Sequence, residues 1–342
     1  MKISEYFNID LVDKPHIKVS KYKNLQLIRY YYEQRDKVND EIDKYSRGMV
    51  ISNDSDILLL PPIKSKEISI DEYFEKYSNI EVEPIIDGVM VNIFHDENVD
   101  EWILSTRGSL GGYNKWNKFL NFKDMFNECR NFEYDDLDKG SMYSFVVRHN
   151  KNRNVGRILY NEVYLVEMRD KRTLDRVNKD KYDKLFKTVD SQTLDSKDEA
   201  FKTYEFKGYT FYDGAVRYKV KNSLYEYVNE LRCHKDKVVN YLELKAKNKV
   251  KEYLEYYPEE IEVVKDTEEK INVLVESIYM QYVNLKIRKN MEDKDVYYHV
   301  KPCIRDIHKN YIRSGVKVTR LAVKKYVDEL PIYKLKFILN YI

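Results

Sequence analysis

The chain has 342 residues and a mass of 41.3 kDa, enough for two domains with separate cores at ~100–200 residues each. Its 60 basic and 58 acidic residues leave a net charge of +2, so no global field marks a polyanion partner, and 43% hydrophobic content argues against disorder. No apolar run approaches the ~18 residues of a membrane span, and the opening MKISEYFNID lacks signal-peptide character.

Three distant cysteines (Cys129, Cys233, Cys303) and six scattered histidines predict neither a disulfide framework nor a zinc site. The 32 tyrosines are the unusual count. Tyrosine builds stacking platforms for single-stranded nucleic acid. Here, however, it runs the whole length of the chain together with Asn, Lys and Ile, as AT-rich codons would produce, and that plain explanation is preferred.

Nine of ten glycines precede residue 215, which predicts a strand-rich first part and a helical second part. Val89, Val91 and Ile93 alternate along a strand, a polar loop covers 95–101, and Trp102-Ile103-Leu104 starts the return strand of a hairpin. Phe119, Phe122 and Phe126 have helical spacing, so a helix should cover that sheet. The charged segment from Arg169 to Thr203 reads as a surface helix and loops inside the first domain.

Beyond about residue 225 the period becomes helical. Val250, Tyr253, Leu254 and Tyr257 precede the helix-stopping Pro258. Asp266 and Glu269 have capping-box spacing ahead of a face made by Ile271, Leu274, Val275, Ile278, Tyr282 and Leu285. A last helix is expected near Thr319, burying Leu321, Tyr326, Val327 and Leu330. Residues 225–342 carry 23 Lys and Arg against 19 Asp and Glu, too even a balance to indicate RNA contact by itself. The predicted domains are therefore residues 1–224 and 225–342.

Four short segments follow one another in order: Ser46-Arg47-Gly48-Met49-Val50, Ile85-Ile86-Asp87-Gly88-Val89, Ser105-Thr106-Arg107-Gly108-Ser109 and Tyr218-Lys219-Val220-Lys221-Asn222. Singly each is weak. Asp87-Gly88 also suits an ordinary hairpin turn, and Lys219 and Lys221 suit a solvated strand edge. The run from Arg107 to Gly112 lacks the Lys-Ser/Thr of a P-loop.

The ordered set resembles the covalent nucleotidyltransferases, most closely the RNA ligases of the bacteriophage T4 type, over roughly residues 40–225. Similar RNA-ligase-like proteins occur in large DNA viruses. The resemblance implies an α+β fold: an antiparallel-sheet nucleotidyltransferase (adenylation) domain followed by an all-α C-terminal domain. In that family a KxDG lysine takes AMP from ATP, carboxylates of two later motifs orient ribose or hold a divalent metal, and a KxK motif neutralises phosphate charge.

This chain departs from the pattern at the reactive groups. Ile85 stands where the nucleophilic lysine belongs, and a hydrocarbon forms no phosphoramidate. Val146, after Tyr143-Ser144-Phe145, stands where the third motif has Glu. For the fourth motif, Lys207-Gly208-Tyr209-Thr210 keeps the gap to Lys219 and Lys221 but puts a lysine where the acid belongs. Asp213-Gly214 keeps an acid but almost no gap. The first register is preferred. Lys64 and Lys66 lie upstream, and nothing in their spacing recommends them as replacement nucleophiles.

The resemblance thus implies no catalytic residue and no metal site. Its phosphate-binding set would be Arg47, Asp87, Arg107, Ser109, Arg153, Lys207, Lys219 and Lys221. Arg153 enters because Asn152-Arg153 matches an Asn-Arg that follows the third motif. The expected protein is an inactive RNA-ligase-like binder of nucleotide or RNA ends, with no required cofactor and ATP or another nucleotide as ligand. The expected setting is host cytoplasm or virion, with a viral protein among its partners and no membrane. An active ligase with a displaced lysine, and a structural protein reusing the fold, are the alternatives. His149, His299 and His308 are expected to be structural or exposed, and spacing suggests no carboxylate partner for them.

Overall fold

Strands occupy the glycine-containing part of the chain, and the helices that follow hold no glycine until Gly315 caps one of them. The computed structural model describes residues 1–7, 14–38, 40–115 and 120–342, which divide into two compact units, Met1–Tyr227 and Val228–Ile342. The fold class is α+β, with antiparallel and mixed sheets in the first unit and helices in the second.

The described residues of unit 1 form three sheets. In the first, β1 (Ile17–Tyr22), β2 (Leu25–Tyr30), β3 (Arg47–Ser52) and β4 (Ile57–Leu59) lie antiparallel in chain order. The second runs β11 (Lys187–Thr188), β10 (Glu162–Asp170), β9 (Ser141–Arg148), β7 (Val89–Asp96), β8 (Glu101–Ser105). The third runs β5 (Lys66–Ile68), β13 (Val216–Lys221), β12 (Phe206–Asp213), β6 (Glu83–Ile86), with β5 parallel to β13.

β7 and β8 pair as the predicted hairpin, with Phe94 opposite Ile103. Val91 and Ile93 enter a core with Phe126, Phe145 and Leu165. The other face of β7 is buried as well: Phe94 joins a second core, and Asn92 Oδ1 accepts from the Ser144 hydroxyl at 2.8 Å, while its Nδ2 is buried without an acceptor. Asn121 caps α1 (Phe122–Cys129) by accepting from Asp124 N, and this helix buries Met125, Phe126 and Cys129. Phe119 lies outside the described residues. Four of the largest fully buried side chains, Tyr73, Tyr143, Tyr241 and Tyr257, are tyrosines, so much of that residue's abundance serves the cores.

The segment from Arg169 to Thr203 differs from its expected surface helix. It finishes β10, adds the edge strand β11 and forms only two four-residue helical pieces, the 3-10 turn Lys179–Tyr182 and the α-helix Lys197–Ala200. Leu174, Phe186, Val189 and Leu194 are buried there. These apolar residues are too widely spaced for a helical stripe, yet each is buried.

Unit 2 contains α2 (Lys237–Ala246), α3 (Val250–Tyr256), α4 (Ile261–Tyr282), α5 (Lys301–Ser314), α6 (Arg320–Asp328) and α7 (Ile332–Leu339). α3 ends before Pro258, as its sequence requires. α4 starts earlier than the Asp266 cap predicts, because Val264 and Thr267 carry the buried face one turn upstream. Asp266 sits inside the helix and pairs with Lys270 at 3.2 Å. Thr319 does cap α6, accepting from Ala322 N. The buried stripe is Val323, Val327 and Leu330, however, and Leu321 is 77% exposed, two positions out of phase. α6 is also not the last helix, since α7 follows Pro331. No described helix is long and apolar enough to cross a membrane.

Candidate anion-binding site

β12 and β13 form a hairpin whose two faces have opposite character. Tyr209, Phe211, Tyr218 and Val220 point into a core with Tyr73 and Ile68. Period-2 alternation sends Arg217, Lys219 and Lys221 to the opposite face of β13, beside their cross-strand neighbours Tyr212, Thr210 and Gly208. Lys66 stacks on Tyr218 at 5.7 Å, on the core side, and so stands apart from these cations.

A bulge aligns the second part of the site. Phe206 pairs with Ile86 and Tyr209 with Pro84, so Lys207 and Gly208 together oppose the single residue Ile85. Ile85, where the resemblance implies a nucleophile, therefore faces Lys207, where it implies an acid. Lys207 Nζ lies 3.2 Å from Asp87 Oδ1, whereas Asp213 sits at the far end of the hairpin, opposite Val216.

Asp87 is buried, and the loop after β9 closes over it. Its Oδ2 accepts from Val155 N (2.9 Å) and Gly156 N (3.0 Å), and its Oδ1 accepts from Asn154 Nδ2 and the Tyr225 hydroxyl, both at 3.0 Å. Burial alone would raise the Asp87 pKa, but Lys207 and the donors from Val155, Asn154 and Gly156 outweigh it and hold the carboxyl below its ordinary value. Arg153 braces the same loop, its Nε and Nη2 donating to Val155 O at 3.1 and 2.9 Å. Gly88 is needed for close approach, since a Cβ there would meet Val147 O at 2.3 Å and Val146 Cγ1 at 2.7 Å. Those contacts put Val146 directly beside Asp87-Gly88.

Lys219 and Lys221 grip one carboxylate. Glu67 on β5 meets Lys219 Nζ at 3.0 Å and Lys221 Nζ at 2.9 Å. Burial pushes the Glu67 pKa up, and its hydrogen bonds to the two lysines pull it down further than that.

A different arrangement surrounds Arg217. It lies near Arg47, at the start of β3, and Arg107, on the loop after β8. Gly48 has φ +105°, and a Cβ there would meet Arg107 Cα at 2.9 Å, so only glycine lets β3 touch that loop. Burial lowers the Arg47 pKa, and the charges of Arg217 and Arg107 lower it further. Among the described residues, none of these three guanidinium groups has a carboxylate within ion-pair distance, and Arg217 Nε is buried without a hydrogen-bond acceptor. Their neighbours are aromatic: Arg107 lies 4.3 Å from the Tyr30 ring centroid, and Arg217 lies 5.9 Å from that of Tyr212. The buried Glu167 nearby is already occupied by Arg169 at 2.7 Å and by the Tyr212 hydroxyl at 2.5 Å.

The structure thus sorts the eight expected residues. Arg47 and Arg107 come together; Lys219 and Lys221 share Glu67; Asp87, Lys207 and Arg153 join through the 154–156 loop. Ser109 does not join them, because its hydroxyl donates to Leu110 O at 3.0 Å within its own turn. Arg217 was missed, although one more step of the Lys219/Lys221 alternation reaches it. Glu67 carried no local signal, since only the parallel pairing of β5 with β13 brings it in. His149 is buried, as a structural histidine would be, and it has a carboxylate partner that spacing does not suggest: Lys151 N donates to Nδ1 at 3.1 Å, which leaves Nε2 to donate to Glu128 at 2.8 Å. Among the described residues, no group of three or more His, Cys, Asp or Glu could hold a metal. A cavity of about 550 Å³, lined in part by Asp56, Asp96, Glu97 and Lys171, shares no residue with the cations above.

No protein-family model and no curated protein sequence matches the chain. The solved structures that resemble the chain include ligases at low identity. A chain from Aquifex aeolicus described as an ATP-dependent DNA ligase is 15% identical, with a TM-score of 0.46 over 74% of each chain. An archaeal ATP-dependent RNA ligase is 13% identical, with a TM-score of 0.44 over 68% of this chain and 64% of that one. A Naegleria gruberi RNA ligase is 11% identical, with a TM-score of 0.35 over 49% of this chain and 58% of that one.

Proposed function

We propose that residues 1–224 form an RNA-ligase-like nucleotidyltransferase domain that has lost covalent transfer and kept anion binding, followed by a helical domain at 225–342. It holds the phosphates of a nucleotide or of an RNA end without a metal. The observation that carries this reading is the group of Arg47, Arg107 and Arg217, close enough to repel one another and unmatched by carboxylates among the described residues. Like charges held together cost free energy unless an anion completes them, and guanidinium forks match phosphate oxygens. Ile85 supplies no nucleophile. Asp87 and Glu67, the carboxylates nearest the lysines, are already engaged by Lys207 and by the Lys219/Lys221 pair, so neither is left to hold Mg²⁺. T4-type ancestry, viral origin and a cytoplasmic or virion setting belong to the same reading.

Titration with a 5′-phosphorylated oligonucleotide in EDTA tests it. Affinity should fall steeply as salt rises and should drop when the 5′-phosphate is removed. No detectable binding at low salt would reject it. One observation favours a second reading, a displaced nucleophile: Lys207 stands across from Ile85. Its amine is, however, engaged by Asp87, and a nucleophilic lysine must be a free base. A covalent label lost in Lys207→Ala would establish that reading instead.

A further inference from the structure

Unit 2 carries a second cationic feature, independent of the site in unit 1. α5 buries Cys303, Ile304 and Ile307, and its neighbouring stripe presents Arg305, Lys309, Ile312 and Arg313 at positions i, i+4, i+7 and i+8. A π-helical turn, Val283–Arg288, extends α4 and brings Lys286 to the same groove. The groove has a volume of about 360 Å³ and is lined by Lys286, Arg305, His308, Lys309, Ile312 and Arg313, with no acidic residue in its wall. Arg305 meets Asp293 at 3.6 Å, but among the described residues Lys286, Lys309 and Arg313 have no carboxylate within ion-pair distance. Several other cations of the unit do meet carboxylates: Arg232 and Lys237 with Glu260, Lys336 with Asp236, and Arg320 with Glu276.

We propose that this groove binds the sugar–phosphate backbone of single-stranded RNA. The cations succeed one another by helical turns, about 6 Å apart along the axis, which suits a linear polyanion better than one small anion. Ring faces lie beside them: His308 stacks on the partly exposed Tyr311 with centroids 6.1 Å apart and planes at 22°. Ile312, 71% exposed, adds an apolar contact in the same stripe. Interleaved cations and rings fit a strand whose bases stack while its phosphates pair, and an acidic peptide offers no such stacking partners. The near-zero net charge of the whole chain hides this local excess.

The test uses the full chain and a short uridine oligonucleotide with 5′-hydroxyl and blocked 3′ ends, so that end recognition by unit 1 does not contribute. The triple variant K286S/K309S/R313S changes exposed side chains only. It should lose at least about tenfold in affinity at low salt, and its log–log salt slope should shrink by about 2, given ~0.7 per neutralised phosphate on single strands. Lys251→Ser, at an exposed cation of α3 outside the groove, should leave this binding unchanged. Tyr311→Ala should weaken it without altering the slope. An affinity and slope unchanged in the triple variant would overturn the proposal. Equal competition by poly-glutamate of matching charge would overturn the RNA assignment.

Discussion

The two ends of the cationic face on β13 treat positive charge in opposite ways. At the Lys219/Lys221 end, and at Lys207 beyond it, every ammonium meets a carboxylate of the same fold, Glu67 or Asp87. At the Arg217 end, three guanidinium groups gather around Tyr30 and Tyr212 with no carboxylate among the described residues to match them. A paired cation stabilises the fold, whereas an unmatched cluster stores repulsion that an incoming anion relieves. Substitution at the first end should therefore move stability, and substitution at the second should move binding.

The largest effect belongs to Asp87. Asp87→Ala leaves Lys207 and the donors of the 154–156 loop without their acceptor, and should cost about 3 kcal/mol or more in denaturant unfolding of unit 1. Because the folded pKa is depressed, this contribution is complete above the ordinary Asp value of about 4 and disappears as pH falls below it toward the depressed one. Asp87→Asn should remove that acid limb from the stability profile, and an unchanged limb would show that Asp87 is no anchor.

Arg217→Gln comes next, with the opposite signature. Phosphate affinity should fall roughly tenfold to a hundredfold, the scale of one charged hydrogen bond, while unfolding stability holds or rises. Ile85→Lys tests the proposed loss of covalent transfer. On the proposed reading Val146 and Lys207 stand where acids would be needed, so α-labelled ATP and Mg²⁺ should still give no covalent adenylate on a denaturing gel. The smallest effect is at Glu67. Glu67→Gln should raise anion affinity a few-fold by freeing Lys219 and Lys221, and should change stability by no more than about 1 kcal/mol, as expected of a half-exposed pair.

Much of this was legible in the residues because it is local. β7 and β8 announce their hairpin, and Thr319 announces its cap, whereas Asp87-Gly88 makes no hairpin turn and instead links β6 to β7 of another sheet. What escaped depends on distant pairing or on phase. Glu67 enters the site only through a parallel strand pair, and Glu128 reaches His149 only because α1 packs beside β9. Leu321 and Val323 differ by two helical positions, about 200° of rotation, and only the packed core decides which of them is inside. Asp266 resembled a cap because the sequence does not say that the buried face begins earlier, at Val264.

The most direct measurement is the retention of α-labelled ATP by the native chain and by the same sample after denaturation. The account predicts label held by the folded protein in EDTA and released completely on unfolding. Label that survives denaturation, or none held at any stage, would contradict it.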